Sequence, residues 1–363
     1  MMVVSKQYQI FFDFLRFCIG SQSEIPDSLN EADWKELYAI AQKQALVGIL
    51  FDGIQRLPSS DVGISRDLLL QWMAQCKMLE KANMRLNDAA IQVSEWFRKK
   101  GFRACILKGQ GNALLYPNGL HRTPGDIDIW VEGGDKRVIS FVRSISPHEK
   151  ACYHHIEFPP YKGVEVEVHY RPSFLLYFWH NRRLQKYYER VEEEQFSHRV
   201  MLGEQGEIAI PTAEFNLIFQ LTHIYAHLMN EGIGLRQLLD YYYVLLHADI
   251  KNLAELQRNL KHFGLWKFAG AIMYIMQEVF GMPASRLIVP PNEKYGKFVL
   301  NEVLKAGNFG KHDERNCFGR SKLGHNLQRV YRDIRLMKYF PAEALSEPIF
   351  RVWHFFWRMK NKK

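Results

Sequence analysis

At Gly101 the hydrophobic period of the chain changes, and no other feature limits the choice of fold so strongly. Ahead of it, SRDLLLQWMAQCKMLEKANMRLNDAAIQVSEWFRKKG places Leu69, Trp72, Cys76, Leu79, Leu86, Ala90, Val93 and Phe97 at three- and four-residue spacing, as one long amphipathic helix requires. Ser65 offers an N-cap, and Lys99-Lys100-Gly101 supplies a basic last turn and a glycine stop. Beyond Gly101 short strands take over. FRACIL (102–107), DIDIWV (126–131), KACYHHIEF (150–158) and VEVEVHY (164–170) read as strands, the last two joined by a turn at PPYKG. GQGNALLY and DKRVISFVRSI read as helices between them. From about residue 173 the helical period returns, as in TAEFNLIFQLTHIYAHLM (212–229), which is apolar nearly all round and expected to be buried.

These changes of period predict an α+β fold. An N-terminal helical region (1–100) and a C-terminal helical domain (206–363) flank a compact α/β core with a small mixed sheet (101–205). A chain of 363 residues with 47% hydrophobic side chains can bury such a core. Cys18, Cys76, Cys105, Cys152 and Cys317 are scattered without C-x-x-C spacing, which fits neither a disulfide framework nor a zinc ribbon and points to a reducing, cytoplasmic setting. The N-terminal MMVVSKQYQIFFDFLRFCIG is broken by Lys6, Asp13 and Arg16, and no apolar run approaches eighteen residues, so no stable membrane insertion is expected. A net charge of +9 is compatible with a polyanionic partner, RNA or nucleotide.

Chemistry enters at Asp126 and Asp128. Residues i and i+2 of a strand share a face, about 7 Å apart along it, so two carboxylates there repel one another unless a cation lies between them. Mg²⁺ takes oxygen ligands and is commonly held by a few carboxylates plus substrate phosphates. Lys108-Gly109 ends the preceding strand and Gly111 follows, where amides at a helix start can cradle phosphate. Gly125 permits close backbone approach, and VEVEVHY adds Glu165 and Glu167 on one face.

The run L-K-G…R-x-x-G-D-I-D-I-W-V resembles the core motif of the DNA polymerase β-like nucleotidyltransferase superfamily. More closely it resembles a bacterial family of largely uncharacterised nucleotidyltransferases, whose later strand ends in an acidic-hydrophobic-His-aromatic pattern. Here that pattern is Glu167-Val168-His169-Tyr170, and HIYAHLMNEGIGLRQLLDYYYVL matches the family's histidine-bearing helix with its following Arg and Asp. The resemblance covers residues 101 to about 250. Two departures stand out: Gly109-Gln110 replaces the usual Gly-Gly or Gly-Ser, and the third carboxylate is Glu where Asp is commoner.

The resemblance implies transfer of a nucleoside monophosphate from an NTP to an acceptor hydroxyl, with release of pyrophosphate. Asp126, Asp128 and Glu167 would hold two Mg²⁺ ions, or Mn²⁺ in their place, and Glu167 is preferred to Glu165 because His169 and Tyr170 then align with the family. Lys108, Gly109, Gly111 and Arg122 would bind the nucleotide. His169, His223, His227, Arg236 and Asp240 are candidates for the acceptor side, the last four equally readable as a buried network joining two helices. The acceptor is a small molecule, a protein or an RNA. The alternatives are a non-catalytic nucleotide- or RNA-binding module of the same fold, or a toxin-like enzyme that modifies tRNA. The adjacent His154 and His155 are expected to face opposite ways, so that only one can enter the site. In FRVWHFFWRMKNKK, aromatics at helical spacing predict packing against a domain more than contact with RNA or a membrane.

Overall fold

A computed structural model describes residues 5–58, 63–204, 206–315 and 322–361. Cys317 and the last two lysines of the C-terminal run lie outside the described residues. Four helices lead the chain: α1 (Lys6–Ile19), α2 (Trp34–Lys43), α3 (Val47–Ile54) and α4 (Arg66–Lys99). As the sequence predicts, the Ser65 hydroxyl accepts from the Leu68 amide at the start of α4, and Gly101 beyond its end is left-handed, φ +80°. At 34 residues α4 runs about 50 Å. That length lets it serve two cores. Trp72 and Cys76 in its first half join the helical core, whereas Leu86, Ala90, Val93 and Phe97 in its second half pack on the sheet.

The sheet is formed by β1 (Ala104–Ile106), β2 (Ile127–Val131), β3 (His155–Tyr161) and β4 (Val164–His169), in the order β1-β2-β4-β3. β2 runs antiparallel to β1 and parallel to β4, and β4 runs antiparallel to β3, so the sheet is mixed. All five residues of β2 are buried, as suits a central strand. α5 (Gln110–Ala113) and α6 (Gly134–Ile145) fill the connections. The β3–β4 turn is tighter than PPYKG suggests. Only Lys162 (φ +52°) and Gly163 (φ +78°) reverse the chain, with both residues left-handed. Pro159 and Pro160 stay inside β3, an edge strand where the missing amide costs little, and the register shifts between Phe158 and Tyr161.

After α7 (Phe178–Ser197) comes a two-stranded hairpin the sequence pattern does not announce, β5 (Arg199–Leu202) and β6 (Gly206–Ala209). Four-residue strands are too short to display a period, and it is Leu202 and Ile208 that anchor them in the sheet core. The expected boundary after residue 205 falls between these paired strands. The remaining helices are α8 (Ala213–Asn230), α9 (Leu235–His247), α10 (Leu253–His262), α11 (Trp266–Glu278), α12 (Glu293–Ala306), α13 (Lys322–Met337) and α14 (Pro341–Lys360). α8 is buried along most of its length, and the core it shares with α9, α11 and α12 continues into α1–α3. The C-terminal α14 divides its aromatics. Phe350 stacks on Phe174 and Trp357 packs against the sheet core, while Val352, Phe355 and Phe356 remain exposed. Among the described residues, no helix is long and apolar enough to cross a membrane.

Candidate active site

Register builds the site. The parallel pairing of β2 with β4 sets Asp128 opposite Glu167, and Asp126 sits just ahead of β2. Carboxylate oxygens of Asp126, Asp128 and Glu167 lie within 4.8 Å of one another. Glu165, two residues back on the same strand, is exposed and does not line the cleft. The three carboxylates form part of the wall of a cleft of about 930 Å³ between the sheet and the C-terminal helices.

Lys108 enters from the segment after β1. The Leu107 amide donates to the Asp128 carbonyl (3.0 Å), extending the β1–β2 ladder and bringing the Lys108 ammonium 3.0 Å from Asp128 Oδ2. Gly109 then turns the chain with φ +63°, a conformation an L side chain rarely adopts, and its Cβ position lies only 3.7 Å from the Asp126 carbonyl oxygen. Gly111 packs against Ile210 within α5, and Gln110 is buried on Asn87, so neither lines the cleft.

Histidines form the second half of the wall. His169 Nε2 meets Asp128 Oδ1 at 3.0 Å and Glu167 Oε2 at 3.5 Å, and His155 Nδ1 lies 3.3 Å from the same Glu167 oxygen. His223 Nε2 is 3.1 Å from the Lys108 ammonium and 3.0 Å from His227 Nε2. His154 and His155 both reach the cleft, with His154 Nε2 3.0 Å from His155 Nδ1. This corrects the expectation that they diverge. Alternation holds within an extended strand, and His154 precedes β3 at a bend, where its carbonyl accepts from the amides of Tyr170 and Arg171.

Charge is distributed unevenly over these groups. Burial opposes ionisation of Asp128, but Lys108 and His169 outweigh it and hold its carboxyl below the ordinary range. Glu167 is likewise disfavoured by burial and rescued by His169 and His155, which bring it down to about 2. Burial pulls His169 down, yet its hydrogen bonds to both carboxylates raise it to about 9. By contrast, burial and neighbouring cations hold His154 and His223 well below the usual histidine range, and bring His155 to about 4. The wall therefore presents one imidazolium against the carboxylates and several neutral rings beside it.

Arg122 and Asp240 come together away from the cleft surface. Arg122 Nε and Nη2 donate to the two Asp240 oxygens, each at 2.7 Å, Tyr116 OH donates to Oδ1 at 2.7 Å, and Arg122 is 3% exposed. This pair ties the segment leading to Asp126 onto α9. Arg236 does line the cleft; it donates to the Thr123 carbonyl (3.0 Å), lies over Phe309, and keeps its buried Nε without a partner. Lys311, Arg329 and Arg351 also line the cleft, the last from the basic, aromatic C-terminal run. They arrive from segments more than 140 residues beyond the carboxylates, and no motif shared with the carboxylate strands marks them.

A nucleotide-handling fold is the class this arrangement suggests, and the family match agrees. Residues 30–281 match the family described as uncharacterised nucleotidyltransferase, and the chain belongs to that family. A crystal structure of an antigenic nucleotidyltransferase-like protein from Paracoccidioides brasiliensis is similar over 58% of this chain and 95% of that one, at 13% identity and a TM-score of 0.33. No curated protein matches the sequence.

Proposed function

We propose that the chain is a divalent-metal-dependent nucleotidyltransferase that moves a nucleoside monophosphate from an NTP to an acceptor hydroxyl, releasing pyrophosphate. The observation that carries this reading is the meeting of Asp126, Asp128 and Glu167 from two register-locked strands beside Lys108. The residues fit a hard cation. All three offer carboxylate oxygens, and the buried Asp128 Oδ2 meets Lys108 only as an ion pair, without an aligned hydrogen bond.

Asp126, Asp128 and Glu167 would hold Mg²⁺, two ions by family resemblance, or Mn²⁺. Such ions would neutralise the triphosphate and acidify the attacking hydroxyl. Lys108 and the amides at Gly109 would take the β- and γ-phosphates, and Arg236 is another cation of the cleft. Glu167, an acceptor at cleft depth, would take the hydroxyl proton. His169 keeps Asp128 and Glu167 oriented and charged. His223 and His227 border the acceptor side, whereas Arg122 and Asp240 serve by fixing the segment that carries Asp126. The proposed setting is the cytoplasm, which supplies NTPs; the four described cysteines are all unpaired.

Calorimetric titration with each NTP, with and without Mg²⁺, tests the reading on the native protein and on Asp126→Ala/Asp128→Ala. Magnesium-dependent binding that disappears in the double variant is expected, followed by label transfer from α-labelled NTP to an acceptor. Binding indifferent to both magnesium and the mutations would favour a non-catalytic binding module, and no binding of any NTP would overturn the proposal.

A further inference from the structure

Cys152, His154 and His155 stand where β3 begins, and nucleotidyl transfer gives Cys152 and His154 no task. The turn is built to bring them together. The Cys152 amide donates to the His155 carbonyl (2.9 Å), and the His154 carbonyl is pinned by the amides of Tyr170 (3.0 Å) and Arg171 (3.2 Å), leaving all three side chains on the cleft wall. One ligand atom from each lies within 4.8 Å of the others.

Cys152 Sγ is 3.5 Å from His154 Nδ1. A tetrahedral zinc ion, about 2.3 Å from sulfur and about 2.05 Å from nitrogen, sets two such ligand atoms about 3.5–3.6 Å apart. That spacing is already present for Cys152 and His154; His155 Nδ1 meets the other nitrogen of the His154 ring, Nε2, at 3.0 Å, so one of the two rings must turn for the third ligand to converge. The donor set is sulfur and imidazole nitrogen, which suits borderline cations and is a poor match for magnesium. A second observation comes from the same cleft: Nε2 of His354, on α14, is buried without a hydrogen-bond partner.

We propose that Cys152, His154 and His155 bind a borderline divalent cation of the zinc class, separate from the carboxylate site, with its fourth coordination position facing the cleft. Three protein ligands and one open position is the arrangement of zinc sites that receive a water or a substrate oxygen. His155 also lies 3.3 Å from Glu167, so the cation sits one side chain away from the proposed catalytic carboxylates. The inference does not depend on the nucleotidyl-transfer reading.

Cobalt titration of the full-length reduced protein tests it, because Co²⁺ reports its ligands optically. The expected result is one tetrahedral Co²⁺ per chain with a thiolate-to-cobalt charge-transfer band, displaced by Zn²⁺. Cys152→Ser should abolish the charge-transfer band, and His154→Gln should weaken binding at least about tenfold. Asp126→Ala/Asp128→Ala should leave the spectrum intact, whether or not NTP binding is lost. A wild-type spectrum without thiolate character overturns the proposal. So does a band that survives Cys152→Ser, or one that vanishes only in the aspartate double variant. Circular dichroism of each variant separates loss of the site from loss of fold.

Discussion

Two charged clusters lie on either side of the segment 119–126, built from similar residues and put to different ends. In one, both Asp240 oxygens are engaged: Arg122 donates to each and Tyr116 adds a third hydrogen bond, all at 2.7 Å. In the other, Asp128 has Lys108 and His169 beside it, yet Oδ2 receives no aligned hydrogen bond and the cleft lies open in front. Both aspartates are nearly inaccessible, so burial does not separate them. Completeness of partnering does. A buried charge whose partners engage both of its oxygens is a strut; one with an oxygen left without an aligned hydrogen bond at a cleft is suited to a ligand.

Substitution of the two aspartates should have opposite consequences. Asp128→Asn should lower nucleotidyl transfer at least about 10³-fold, the scale of removing a principal charge-stabilising group, while the thermal midpoint moves by a few degrees at most. Asp240→Ala should instead cost about 3–5 kcal/mol in urea unfolding, because it strands the Arg122 guanidinium in the interior. The double change Arg122→Met/Asp240→Leu should recover most of that loss. If Asp240→Ala proved neutral to stability and selectively abolished activity, the strut would have to be reassigned to the catalytic machinery.

Lys108→Met probes the open cluster more gently. Losing one charge-assisted contact to phosphate is expected to cost about 1.5–3 kcal/mol, roughly ten- to a hundredfold in kcat/KM, mostly through KM for the NTP.

The smallest effect is expected at a third cluster, on the cleft rim, where Asp333 of α13 meets Glu347 and Arg351 of α14. Burial, then the neighbouring Glu347, push the Asp333 carboxyl up from 3.8 to about 7. Between those values the folded chain keeps a proton that the unfolded chain releases, so this group's contribution to stability declines as pH rises from about 4 to about 7 and is level above. Asp333→Asn should therefore stabilise the protein at pH 8, by about 1–2 kcal/mol with Arg351 damping the effect, and make little difference at pH 4. Thermal melts across that range read it directly.

Much of the scaffold was legible in the sequence because it rests on local chemistry. The Ser65 cap, the Lys-Lys-Gly stop and the period-two strands each act within a few residues. The pairing of Asp126 with Asp128 was legible for the same reason, as alternation puts both on one face, whereas Glu167 was preferred to Glu165 through the family resemblance alone. What stayed hidden depends on distant partners. Arg122 reads like a loop cation until Asp240, 118 residues on, accepts from two of its nitrogens. The β5–β6 hairpin is too short to announce itself, and Lys311, Arg329 and Arg351 reach the cleft only through the packing of the C-terminal helices.

The parallel pairing of β2 with β4 has a temporal consequence. Asp128 and Glu167 become neighbours only when strands separated by more than thirty residues align, a non-local closure of the slow kind. A slip of one residue would set Val166 or Val168 in place of Glu167 and leave the chain able to collapse but unable to gather its carboxylates. Affinity for a divalent ion should therefore emerge late in refolding, after helix content has recovered. A cation that binds only the aligned pair would then favour the correct register over its near misses, and so act as a proofreader of the strand alignment.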